Sequence, residues 1–249
     1  MFENKLFKEN TFDVPQRNNE GISSDITQYL NEQIDRIMSH KSVHHPFLLW
    51  YANTALTPEE EKTLYLETYT YFQDLPFYVA NISTITRDEN ILREVLHNSL
   101  DELGNRKSHS TIYDEFLAMI GITQENCTNY QPMNASVKLN QGICKAYNTP
   151  PIETALGAIF ADETQSAKMC YLYNEGLKNQ GYDKKTRFFW ELHIEAEVGH
   201  SNAIFNVLSK YVSTKEGRAQ FEVGVNLYLD LMGKFWDSID QAIRLGRGV

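Results

Sequence analysis

The segment IETALGAIFADETQSAKMCYLYNEGLKNQG, residues 152–181, runs without a proline and repeats apolar residues at helical spacing. Leu156, Ile159, Phe160, Ala167 and Cys170 share one side of it, and Gly181 closes it. Segments of the same kind fill most of the chain. SSDITQYLNEQIDRIMSH opens on Ser and Asp cap candidates and continues with Ile26, Leu30, Ile34 and Ile37. In HHPFLLWYANTALTPEEE, Thr57 is a good N-cap and Pro58 a good first helical residue, with acids in the turn that follows. His45, before Pro46, reads as a residue that starts a helix. A long aromatic helical pattern, KTLYLETYTYFQDLPFYVANISTIT, comes next. DENILREVLHNSLDELG stops at Gly104, and STIYDEFLAMIGI follows it. KKTRFFWELHIEAEVGHSNAIFNVLSKYV and EGRAQFEVGVNLYLDLMGKFWDSIDQAI are the last two helical patterns. Residues 122–150 are polar, run into TPP at 149–151 and include a connection. No strand pattern, internal repeat or low-complexity tract stands out, and 13 Gly with 7 Pro leave little material for a loop-rich or all-β fold. The expectation is an all-α protein: a polar N-terminal arm over 1–22, then one helical bundle of about seven or eight helices over 23–249.

A net charge of −10 disfavours nucleic acid and anionic membrane surfaces as partners, because phosphate binding needs a basic face. The N-terminus has no apolar signal core, and no apolar run approaches the roughly 20 residues of a membrane span. Three cysteines (Cys127, Cys144, Cys170) without CxxC spacing fit a reducing compartment. A cytoplasmic location is expected.

Chemistry enters where polar residues fall on apolar stripes. Glu163 lies on the stripe of segment 152–181, whereas Asp162 and Glu175 lie off it. A carboxylate on a buried face is costly unless it pairs, protonates or binds a metal. In ELHIEAEVGHS, residues 191–201, His193, Glu197 and His200 are spaced i, i+4, i+7 and point within about 60° of one another. Glu191 and Glu195 turn toward solvent. A lone histidine on such a face is usually a satisfied core residue, but three polar groups in register favour a metal or catalytic site. Glu102 lies in line with Val95 and Ser99 and so points inward, unlike Asp101; His109 follows seven residues later. That pair alone is weak evidence.

Together these positions supply three carboxylates and three imidazoles on three helical segments. Such a donor set, lacking thiolate, suits iron or manganese. Six donors exceed the three protein ligands of a usual catalytic zinc but would serve two metals bridged by a carboxylate, with open positions for dioxygen.

The ordered set Glu102, His109, Glu163, His193, Glu197, His200 resembles the haem-oxygenase-like di-metal oxidases, which share a helical fold with TenA proteins and the PQQ-biosynthesis oxidase. That signature is a Glu and a His about seven apart, a Glu on a central helix, then His-x3-Asp/Glu-x2-His. HHPFLLWYANTALTPEEEKTLYLETYTYFQDLP is similar to the early helix pair of TenA and PQQ-type proteins. LDELGNRKSHSTIYDEFLAMIG and ALGAIFADETQ are similar to the chlamydial death-domain-associating protein and its relatives, and the likeness spans about 40–245. Glu197 departs from the pattern, since many members carry Asp there. The resemblance implies a haem-oxygenase-like bundle, two Fe(II) ions held by those six residues with Glu163 bridging, and O2 as co-substrate. It implies oxidation of a small amino-acid-like substrate by N-oxygenation, desaturation, C–C cleavage or nitrile formation, in biosynthesis. An external electron donor and a homodimer are compatible with it. Tyr65, Tyr69, Phe72 and Tyr78 are candidates to line the substrate pocket, although ordinary core packing is the commoner reason for aromatics at that spacing. Two rivals remain: a metal-free enzyme on the same fold, either a TenA-like hydrolase, for which Cys170 is the only cysteine on the central helix, or a cofactorless oxidase; and a non-enzymatic interaction module.

Overall fold

The computed structural model describes residues 7–8, 11–12, 23–104, 106–194, 205 and 207–247. Two-residue strands β1 (Phe7–Lys8) and β2 (Thr11–Phe12) pair antiparallel, a contact too short for periodicity to reveal. All other regular structure among the described residues is helical. In chain order the helices are α1 (Ser24–Met38), α2 (Pro46–Tyr51), α3 (Pro58–Phe72), α4 (Leu75–Asn81), α5 (Glu89–Leu103) and α6 (His109–Met119). Then come α7 (Gln124–Asn129), α8 (Asn134–Asn148), α9 (Ile152–Asn179), α10 (188–194) and α11 (Lys215–Ala242). None is long and apolar enough to cross a membrane.

Local chemistry sets most of the ends. Thr57 and Glu60 form a capping box ahead of α3, with Pro58 in its first turn. His45 caps α2, its Nδ1 accepting from the Phe47 amide at 3.2 Å. Gly104 ends α5 at φ 60°, a conformation that disfavours a Cβ. The bundle has more helical segments than seven or eight. Pro76 in the first turn of α4 breaks the aromatic pattern after Phe72, because its ring blocks a continuous helix. The polar stretch 122–150 holds α7 and α8 as well as connections. Helix α8 buries only Ser136, Leu139, Ile143, Ala146 and Tyr147, a narrow stripe in polar surroundings.

Glu67 of α3 fixes the start of α8. Its buried carboxylate accepts from the Met133 amide at 2.9 Å and from the Tyr130 and Ser136 hydroxyls. Glu67→Gln keeps the volume and loses the charge-assisted acceptors, at an expected cost of about 2 kcal/mol by urea unfolding. An unchanged midpoint would show that these bonds add nothing.

Helix α9 is the axis. From Ala155 to Cys170 every residue is buried, so the helix has no solvent side. Asp162 therefore sits inside as well, against the expectation from periodicity. α11 packs along α9 at close range. A Cβ on Gly157 would come within 1.9 Å of the Phe221 carbonyl oxygen, and one on Gly224 within 2.0 Å of the Thr154 carbonyl oxygen. These two glycines let the backbones approach.

Candidate metal centre

Helix α5 ends at Leu103, and the turn through Gly104 reverses the chain into α6, whose first residue is His109. This brings Glu102 and His109 face to face: His109 Nδ1 lies 3.0 Å from Glu102 Oε2. Both are largely sequestered, with side chains 6% and 13% exposed. Asp101, the next residue, is exposed, as the stripe requires.

His193 arrives from the far side on α10. Trp190, one turn earlier, anchors that helix: its ring stacks on Tyr173 of α9 at 4.0 Å and meets the Phe116 ring of α6 edge-on at 5.8 Å. Arg187 ties the start of α10 to α9 through Asn174 at 2.5 Å and holds Glu191 at 2.8 Å. Glu191 is thus half-buried and paired rather than simply solvated. His193 is 1% exposed, and its Nδ1 lies 2.7 Å from the Phe189 carbonyl oxygen. A carbonyl can only accept, so Nδ1 carries the proton and Nε2 holds the lone pair, the tautomer a metal ligand needs. The His109 and His193 rings meet edge-to-face at 4.5 Å.

One donor atom each from Glu102, His109 and His193 lies within 4.8 Å of the other two. One carboxylate and two imidazoles, Glu102 and His193 buried and His109 nearly so, without thiolate, fit iron. Glu163 comes from α9, and its Oε1 accepts from Asn98 Nδ2 at 2.7 Å. Asn98 sits one turn before Glu102 on α5, so that helix presents both a ligand candidate and the group that orients another. Sequence reasoning missed Asn98, although the i, i+4 relation to Glu102 carried the signal. Glu197 and His200, with Glu195, lie outside the described residues.

Asp162 was also missed. Its carboxylate accepts from the Tyr71 and Tyr228 hydroxyls, each at 2.7 Å, and from Ser166 Oγ at 3.2 Å. Burial above all, then the neighbouring Glu163 charge, pushes Asp162 up to about 7, and those hydroxyl donors hold it back in part.

The four aromatic candidates separate. Phe72 lies against His193, ring centroids 6.1 Å apart. Tyr69 is half-buried against Tyr113, 6.0 Å away. Tyr65 is wholly buried, its hydroxyl 2.6 Å from that of Tyr51. Tyr78 lines a surface groove with Val137, Asn140 and Cys144 of α8. Cys170 is wholly buried in the apolar core.

Comparison with known proteins identifies the family and the fold. The family described as iron-containing redox enzymes matches residues 64–233. A 4-chloro-allylglycine synthase of Streptantibioticus cattleyicolor is 47% identical, covering 90% of this chain and 87% of its own. A 4-aminobenzoate synthase of Nitrosomonas europaea is 25% identical over 86% of this chain and 92% of its own. Among solved structures, a CADD-like protein of unknown function from Nostoc punctiforme superposes with a TM-score of 0.76 at 16% identity. It covers 89% of this chain and 99% of its own, a likeness of fold. With most of its length matched by the family and nearly half its residues shared with one member, this all-α chain belongs to the iron-containing redox enzymes of haem-oxygenase-like fold.

Proposed function

We propose that the protein is a non-haem di-iron enzyme that uses O2 to oxidise a small amino-acid-like substrate in a biosynthetic pathway. The observation that carries this reading is the buried Glu102–His109–His193 cluster, a donor set suited to iron. Glu102, His109, Glu163, His193, Glu197 and His200 would hold two Fe(II) ions. Iron held there would supply electrons and a site for O2 activation. The chain's part is to hold the donors in register. The Phe189 carbonyl fixes the His193 tautomer, Asn98 orients Glu163, and the rings of Phe72 and Phe189 exclude water beside His193. The 47% identical relative is named for an unsaturated amino acid, which supports an α-amino acid as substrate and loss or rearrangement of side-chain bonds as outcome. Of the four aromatic candidates, Phe72 and then Tyr69 are the ones favoured for the substrate pocket.

The test is anaerobic loading of the metal-free chain with Fe(II), followed by iron counting and O2-uptake measurements with a panel of α-amino acids. Two irons per chain and amino-acid-dependent uptake are expected. One iron per chain overturns the di-iron assignment; uptake indifferent to every amino acid overturns the substrate class. A TenA-type hydrolase is disfavoured because Cys170 is sealed in the core. We also propose a cytoplasmic location, an external electron donor and a homodimer. Leu96, Leu100 and Leu103 expose a row of apolar side chains on α5, with Leu100 66% exposed, in keeping with a covered face. Sedimentation equilibrium of wild type and Leu100→Glu reads the oligomer directly.

A further inference from the structure

The iron cluster leaves one cation of the central helix unexplained. Lys168 follows Glu163 by five residues on α9, about 140° round the helix, so it faces a different neighbour. The residue is 7% exposed. Among the described residues no carboxylate lies within ion-pairing distance of its Nζ, whose recorded contact is with the face of the Tyr171 ring, 5.2 Å from the centroid. Burial alone lowers its basicity, with no neighbouring charge compensating. The side chain is held among apolar neighbours while its ammonium faces the cavity beside it, where an anion would meet it as a counter-ion.

Lys168 opens on a cavity of about 300 Å3 between α9 and the end of α2. The walls are of two kinds. Leu49, Ala52, Leu172 and the Tyr171 ring are apolar. Asn53 Nδ2 spends one N–H on the Leu49 carbonyl, at 2.9 Å, and has a second N–H to donate. His44 also lines the cavity and binds the Met38 carbonyl through Nε2 at 2.7 Å. Glu175 stands two turns from Lys168 and pairs with Lys178 at 3.5 Å. Its negative charge disfavours a dianion such as phosphate, while one ammonium and one amide suit a single carboxylate.

We propose that this cavity binds a small monocarboxylate, with the Lys168 ammonium as counter-ion and the carbon chain against Leu49, Leu172 and Tyr171. The site is separate from the iron cluster and does not depend on its occupancy. A ligand of this size binds with a Kd on the order of 1 mM.

The test follows the Lys168 side-chain signal in the full chain labelled with 13C-lysine, assigned by its absence in Lys168→Met and in Lys168→Arg. The probes are butyrate, butanamide and inorganic phosphate. Saturable shifts with butyrate, and at least tenfold weaker responses to butanamide and phosphate, are expected. Lys168→Met should abolish butyrate binding measured by calorimetry. Absence of a saturable butyrate shift, or butanamide binding as tightly as butyrate, overturns the proposal. Phosphate matching butyrate overturns the carboxylate assignment. Should Lys168→Met fail to fold, the wild-type titration, with its signal assigned from Lys168→Arg, still decides.

Discussion

His193→Ala is expected to weaken iron binding at least about 100-fold, measured by chelator competition after anaerobic loading. The side chain is 1% exposed, its tautomer is set by the Phe189 carbonyl, and its ring abuts His109. Removing it takes away one of the two described imidazoles of the cluster and cannot be compensated by solvent, which does not reach the position. Asp101→Ala is the matched control, because Asp101 adjoins Glu102 in sequence but faces outward. A thermal melt of the metal-free variant separates ligand loss from unfolding. If His193→Ala retains wild-type iron affinity while folded, His193 is not a ligand and the cluster must be reassigned.

The second large effect concerns the axis of the bundle. Gly224→Ala would place a methyl within 2.0 Å of the Thr154 carbonyl oxygen, and Gly157→Ala one within 1.9 Å of the Phe221 carbonyl oxygen. Both obstacles are backbone, so no rotamer change relieves them; α9 and α11 must separate. Overpacking of this kind costs about 3 kcal/mol. For a chain of this size that lowers Tm by roughly 6–12 °C. Calorimetry on the metal-free protein measures it, and a shift under 2 °C, well below that range, would show that the helices accommodate the methyl by sliding. The shifts of the two variants should not add, since one separation relieves both clashes.

Much of this was legible in the sequence, and particular residues show why. Glu102 and Asp101 are neighbours in the chain, yet periodicity alone told them apart, because α5 has one buried face and one exposed face. The Thr57–Glu60 box and the Gly104 stop follow from local backbone chemistry and needed no tertiary knowledge. Asp162 failed for the opposite reason. Stripe analysis assumes that a helix has an outside, and α9 has none between Ala155 and Cys170. The α8 helix escaped because its buried stripe is narrow and interrupted by polar residues, so its burial depends on α3, α4, α9 and α11 rather than on its own composition. Lys168 went unremarked because a lysine between apolar residues reads as a solvated side chain until the neighbouring helix is in place.

The short turn between α5 and α6 has a consequence for the order in which the cluster is assembled. Glu102 and His109 are seven residues apart, so their encounter requires closing only a small loop, an event of the order of 10–100 ns. His193 is eighty-four residues beyond His109, and it joins them only when Trp190 finds its place between Tyr173 and Phe116. The chain therefore carries two donors as a local unit and recruits the third over a long distance. With the three residues as iron ligands, as proposed, metal capture at full strength would be tied to the last of these steps, and iron binding would report whether the Trp190 end of the protein has docked.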